Sequence, residues 1–148
     1  MTRQLKKTYF RLLVPALLVI AVIYLAKYAG YHFGPEAPWS GLAGPALFIL
    51  AGTFAIALPI FYRTLFLHRI RHQERTPMAD LLAFERRFLI VALIPAYLAA
   101  LAYALPITYF HFVGTVLMAL YAAYYYYPSP NRIALEKRIF RAGLEYPS

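Results

Sequence analysis

Four uninterrupted apolar runs, at residues 12–33, 45–67, 88–106 and 110–127, constrain this chain more than any other feature it has. A hydrocarbon layer about 30 Å thick is crossed by about 20 apolar residues in a helix, and each run is near or above that length. In lipid the backbone must satisfy its own polar groups, which leaves helices or closed barrels. Runs this continuous do not read as the alternating segments of about ten residues that build a barrel. The expected fold is therefore all-α: a single integral membrane bundle of four transmembrane helices over residues 1–148. Hydrophobic residues make up 62% of the chain and charged ones 14%, against about one half and about one quarter in soluble domains.

The charges that remain are clustered between the runs, and their placement sets an orientation. Arg3, Lys6, Lys7 and Arg11 precede the first run, and Arg63, Arg69, Arg71, Arg75, Arg86 and Arg87 lie around the belt at residues 68–87. Arg132, Lys137, Arg138 and Arg141 follow the fourth run, in a tail at residues 128–148. The other two connections, residues 34–44 and 107–109, contain no Lys or Arg. By the positive-inside rule both termini and the belt are expected to be cytoplasmic, in a membrane of the bacterial inner type. Topology alone thus accounts for the net charge of +9, with no nucleic-acid partner. The basic N-terminus resembles the start of a signal peptide, but its apolar run is too long and lacks a small-residue cleavage site, so a retained first span is expected.

Aromatic residues flank the runs as interfacial anchors would, Tyr124 to Tyr127 among them. Pro15, Pro59 and Pro95 fall inside runs, where each removes a backbone hydrogen bond and favours a kink. Thr76-Pro77 reads as an N-cap and first-turn pair opening the third helix. After Pro128 and Pro130 a short helix is expected over residues 131–142, ended by Gly143, with Leu135, Ile139 and Ala142 on one face lying along the inner interface. Gly52-Thr53 with Ala57, Leu58 and Tyr62 matches Gly114-Thr115 with Ala119, Leu120 and Tyr124 at equal spacing, a faint internal repeat.

Candidate binding residues are few. Arg69, Arg71, Arg75, Arg86 and Arg87 form a basic collar suited to phosphate, anionic lipid or an acidic partner, because guanidinium groups grip phosphate with two parallel bonds. Glu74, Asp80 and Glu85 are expected to pair with these arginines. Lys27 is the one charge deep within a run, Arg63 lying near the charged end of the second, so it is either a substrate counter-ion or a side chain that snorkels outward or pairs with Glu36. His32 and His111 lie at matching depth near the outer ends of two runs, the placement a bis-histidine heme would require. Interfacial side chains with one wet end are the simpler reading, and no cofactor is expected. His68 and His72, four residues apart, would share a face of a continuing second helix, but zinc spacing and HExxH are absent.

Cysteine is absent and serine occurs only at Ser40, Ser129 and Ser148, none in a nucleophile elbow. Phosphate-binding glycine loops are likewise missing. The outline is similar to the four-helix glutathione and eicosanoid enzymes of membranes, but their intramembrane Arg, Asn and Glu pattern is absent and the only asparagine is Asn131. It is also similar to small carriers of polyprenyl-linked sugars, but Tyr62-Arg63-Thr64-Leu65 replaces their Asn-Arg-x-Trp pattern. No acidic residue stands in the apolar part of any run, which disfavours proton-coupled transport. Small residues along the runs, among them Ala46, Ala51, Gly52, Ala55, Ala57, Ala99, Gly114 and Ala122, allow close helix contacts. The expected role is a non-enzymatic small subunit or homo-oligomeric component of a membrane transport or other complex. A heme-carrying electron-transfer subunit and a carrier of lipid-linked or phosphorylated substrates are the alternatives.

Overall fold

A computed structural model describes residues 1–31 and 40–143, and all regular structure in them is helical. The order is α1 (Thr2–Tyr28), α2 (Ser40–Gly52), a π-helical turn (Thr53–Ala57), α3 (Leu58–Ile70), α4 (Met78–Ala92), α5 (Ile94–Ala104), α6 (Tyr109–Tyr125) and α7 (Pro130–Ile139). Three continuous helical stretches are long and apolar enough to cross a membrane: Thr2–Tyr28, Gly41–Ile70 and Met78–Ala104. α6 has 17 residues, a length of about 26 Å at 1.5 Å per residue, and is not one of the three.

The first helix begins ten residues before its apolar run, so the basic N-terminus is itself helical. It also stops at Tyr28 rather than continuing to Phe33, where Gly30 takes a φ of +90° that ends the helical path. The second helix starts at Ser40, placing Pro45 inside it. Pro59 and Pro95 act as the sequence indicates. Each follows a local change of helical pitch, the π-turn before Pro59 and the break at Leu93 before Pro95.

The π-turn has a stereochemical logic. The Leu58 N–H reaches back to the Thr53 carbonyl, one residue further than in an α-helix, and Pro59 has no N–H to offer Ala55. The Ala55 carbonyl therefore lacks the backbone donor an α-helix would supply. Tyr126 fills the gap, its hydroxyl donating to Ala55 O at 2.8 Å from the end of α6. An unsatisfied carbonyl in apolar surroundings is expensive, so this contact fixes where the end of α6 stands against the π-turn.

The helices meet through small residues. α5 packs chiefly against α6 and α1, and α2 against α6. Ala99, Ala100 and Ala102 of α5, Ala119 and Ala122 of α6 and Ala51 of α2 are buried, which lets the backbones approach closely. Gly114 is a tighter case, since a Cβ there would lie 2.7 Å from the Phe48 ring. Ala46 and Ala57 point outward instead. The two members of the internal repeat differ in setting: Gly52 has open space around it, and the π-turn follows Gly52 only.

At the charged end the core is aromatic. Phe84 stacks between Tyr62 and Phe66, and Phe140 meets both Phe66 and Phe84 edge-on. Phe140 belongs to the tail, so α7 is docked into the bundle. Its packed residues are Ile133, Glu136 and Phe140, whereas Leu135 and Ile139, expected on the interfacial face with Ala142, are exposed while Ala142 is buried. The helix is also shorter than expected. Ser129 caps its start, accepting a hydrogen bond from the Arg132 N–H, and it ends at Ile139. The chain then turns at Arg141, whose φ is +52°, before Gly143.

Candidate functional site

The charged end is built on a crossed pair of ion bridges that the sequence did not assign. Arg132 of α7 donates to a Glu85 carboxylate oxygen at 2.9 Å, and Arg63 of α3 lies 3.3 Å from a carboxylate oxygen of Glu136, one turn along α7 from Arg132. Glu85 is 1% exposed and Glu136 6%. α7 thus gives a cation to α4 and takes one from α3. Arg132 also donates to the Tyr126 carbonyl and lies over the Phe88 and Tyr126 rings, which satisfies most of its planar fork.

The two bridges are unequal. The Glu85–Arg132 contact is a hydrogen-bonded pair between well-buried groups. The Glu136 oxygen facing Arg63 is buried but makes no aligned hydrogen bond, and the Arg63 side chain is 35% exposed. Burial therefore outweighs Arg63 and Arg132 and raises the Glu136 carboxyl above its ordinary value.

These pairings decide the state of the collar. Glu85, expected to neutralise belt arginines, is turned inward to Arg132 from the tail. Arg69, Arg71, Arg75, Arg86 and Arg87 are all exposed, and none makes an ion pair among the described residues. They do not form one patch. Arg69 on α3 and Arg87 on α4 line one cleft of about 380 Å³, with Gln73 and Asp80 at its rim and Tyr62, Phe66 and Phe84 in its wall. Arg86 points the other way, into a recess with the cations of α1. Arg71 borders a small groove beside Arg141 and Phe140, and Arg75 lines none of these.

The connecting belt departs from expectation at two points. α3 ends at Ile70, so His72 lies in a turn and does not share a helical face with His68. Thr76 does not cap α4; Pro77 holds that position, and buried Thr76 bridges to Ala142 in the tail. No group of three His, Asp or Glu side chains suited to a metal occurs among the described residues.

At the opposite end, Lys27 donates to the Tyr103 carbonyl and sits over the Tyr103 ring. Tyr103 is the penultimate residue of α5, and Ile107, whose N–H would serve that carbonyl in a longer helix, bonds to Leu105 instead. The ammonium thus satisfies an orphan carbonyl at the negative end of a helix dipole. His111 is half-buried, with its Nδ1 unpartnered near Gly44. His32, its candidate partner for heme, and Glu36, the candidate partner of Lys27, lie outside the described residues.

The tyrosine run divides between two roles. Tyr124 and Tyr125 are exposed as anchors would be, whereas Tyr126 is 4% exposed and belongs to the core. Comparison with protein families, with curated proteins and with solved structures gives no match.

Proposed function

We propose that this chain is a four-helix integral membrane protein with both termini cytoplasmic, acting as a non-enzymatic component that docks anionic groups at its inner rim. One observation carries the reading: the collar arginines are exposed and make no ion pair among the described residues, while Glu85 and Glu136 are buried against Arg132 and Arg63. Unpaired guanidinium groups at headgroup depth call for phosphate or carboxylate from outside the chain. The exposed apolar flanks, such as Leu17, Leu18, Val22 and Leu25 on α1, suit lipid or neighbouring helices.

Two experiments test this. Because the chain has no cysteine, single cysteines at Gln73 and Tyr31 report topology directly. A membrane-impermeant thiol reagent added to intact cells should label Tyr31→Cys and spare Gln73→Cys; the reverse pattern refutes the orientation. Neutralising Arg69, Arg71, Arg86 and Arg87 together should release co-purifying anionic lipid or partner chains, and unchanged retention refutes the docking role.

A second reading, a carrier of lipid-linked or phosphorylated substrate, is favoured by the cleft that Arg69 of α3 and Arg87 of α4 both line, together with Tyr62, Phe66 and Phe84. Phosphorylated-substrate flux in liposomes that survives Arg69→Gln with Arg87→Gln removes it.

A further inference from the structure

We infer that the cleft where α7 meets α3 and the end of α6 binds a neutral ring with hydroxyls on neighbouring carbons, the chemistry of a hexose. None of the collar arginines lines this cleft, so the inference stands apart from the anion-docking role proposed above.

The cleft holds about 510 Å³, within the about 300–1,000 Å³ of small-molecule sites. Its polar lining includes Arg63, Asn131, Arg132 and Glu136, and Tyr124 and Tyr125 add exposed aromatic side chains. Arg132 is already committed to Glu85 and to the Tyr126 carbonyl. Arg63 and Glu136 have capacity to spare. They lie 3.3 Å apart without an aligned hydrogen bond, and the Arg63 guanidinium otherwise rests over the Phe140 ring. Oε2 of Glu136 is enclosed beside Arg63, which leaves the rest of the carboxylate to the cleft. A carboxylate whose side chain is only 8% exposed is costly to leave without a donor.

Charge decides the class of ligand. Arg63 and Arg132 are matched one for one by Glu136 and Glu85. An anion drawn to Arg63 would meet Glu136, and a cation drawn to Glu136 would meet Arg63. A neutral hydroxyl meets neither penalty. Guanidinium groups only donate and carboxylates only accept, whereas a hydroxyl does both. Two hydroxyls on neighbouring carbons can therefore accept from Arg63 and donate to Glu136 together, with the Asn131 amide open to a third. The C–H face of such a ring suits the exposed tyrosines. The cleft shared by Arg69 and Arg87 differs, because it sets two cations against Asp80 alone and so favours an anion.

The test is saturation-transfer NMR on the protein purified in a detergent without sugar. The probes are the methyl glycosides of glucose, galactose and mannose, with glucose 6-phosphate and glucosamine as charged counterparts. A neutral glycoside should receive saturation and should outcompete both charged sugars at equal concentration. Asn131→Ala, at an exposed position, should weaken binding about fivefold, the worth of one hydrogen bond, and Tyr125→Leu at least as much. Tyr109→Leu removes an exposed tyrosine from the other end of α6 and should change binding less than twofold. Unchanged helical content and thermal unfolding confirm that these variants are folded. Native mass spectrometry with glucosyl diacylglycerol and diacylglycerol separates the two sources of the ring. Preferential retention of the glycolipid, lost in Asn131→Ala, assigns the cleft to a lipid headgroup, and saturation of a free glycoside without that preference assigns it to a soluble sugar. Absence of both signals overturns the inference. So does tighter binding of either charged sugar, or equal loss in Tyr109→Leu.

Discussion

Replacing Arg132 by Met should undock the tail helix. In the native protein Arg132 holds Glu85 at 2.9 Å and donates to the Tyr126 carbonyl. Methionine keeps much of the apolar stem but leaves the Glu85 carboxylate buried at 1% exposure with no cation in contact. Removing one member of a buried pair costs about 3–5 kcal/mol, or about two to three and a half powers of ten in the opening equilibrium of α7. Amide hydrogen exchange in detergent micelles reads this directly, because exchange within residues 130–139 follows local opening. The rate there should rise at least a hundredfold, up to the ceiling set by global unfolding. Glu85→Leu alone should be tolerated better, since Arg132 is 16% exposed at its side chain and keeps the Tyr126 carbonyl. The double variant Glu85→Leu with Arg132→Met should return close to wild type or exceed it, because apolar replacement of a whole buried pair is often neutral or stabilising. An Arg132→Met rate increase below tenfold, or a double variant no better than Arg132→Met, would refute the claim that this pair holds the tail.

Three further outcomes follow from the same contacts. Tyr126→Phe removes the donor to Ala55 and should lower stability by about 0.6–1.7 kcal/mol, the range of hydrogen bonds between membrane helices, measured as unfolding in mixed micelles; no loss would mean that the carbonyl finds another donor. Gly114→Ala forces the Phe48 ring to move from a would-be contact of 2.7 Å and should cost about 1–3 kcal/mol by the same assay. Because the Glu136 carboxyl is raised in the folded state, the folded protein holds that proton more tightly than the unfolded chain does. Its contribution is full below the ordinary carboxyl value and is lost as pH rises through the raised one, so tail protection should weaken from pH 4.5 upward. Glu136→Gln should flatten that slope in amide exchange of α7, and an unchanged slope assigns it to another group.

Hydrophobic runs and charge clusters were enough to read the helical class and the long apolar helices, because both are properties of composition over many residues. The pairings were not readable. Glu85 finds Arg132 across 47 residues, and nothing local distinguishes that arginine from Arg86 or Arg87 beside it. The tyrosine run shows the same limit. Tyr124 and Tyr126 are the same residue type two positions apart, and helical geometry turns one outward and the other toward Ala55. Helix ends also misled where tertiary contacts compete with capping: Thr76 has the chemistry of an N-cap, but its bridge to Ala142 holds it elsewhere. One signal was available. Pro59 in an apolar run implies an orphan carbonyl near Ala55, and a buried hydroxyl donor is the natural thing to seek.

The π-turn also sets the angular phase of everything that follows it. Each residue advances a helix by about 100°, and a π-turn accommodates one extra residue in its winding. Deleting a single residue from Thr53–Ala57 would restore the α-helical pitch and rotate α3 by about that angle. Tyr62 and Phe66 would swing off Phe84, Arg63 would leave Glu136, and Arg69 would leave the cleft it shares with Arg87. The aim of the charged rim is thus clocked by one surplus residue buried near the middle of a hydrophobic helix, far from any charge it directs.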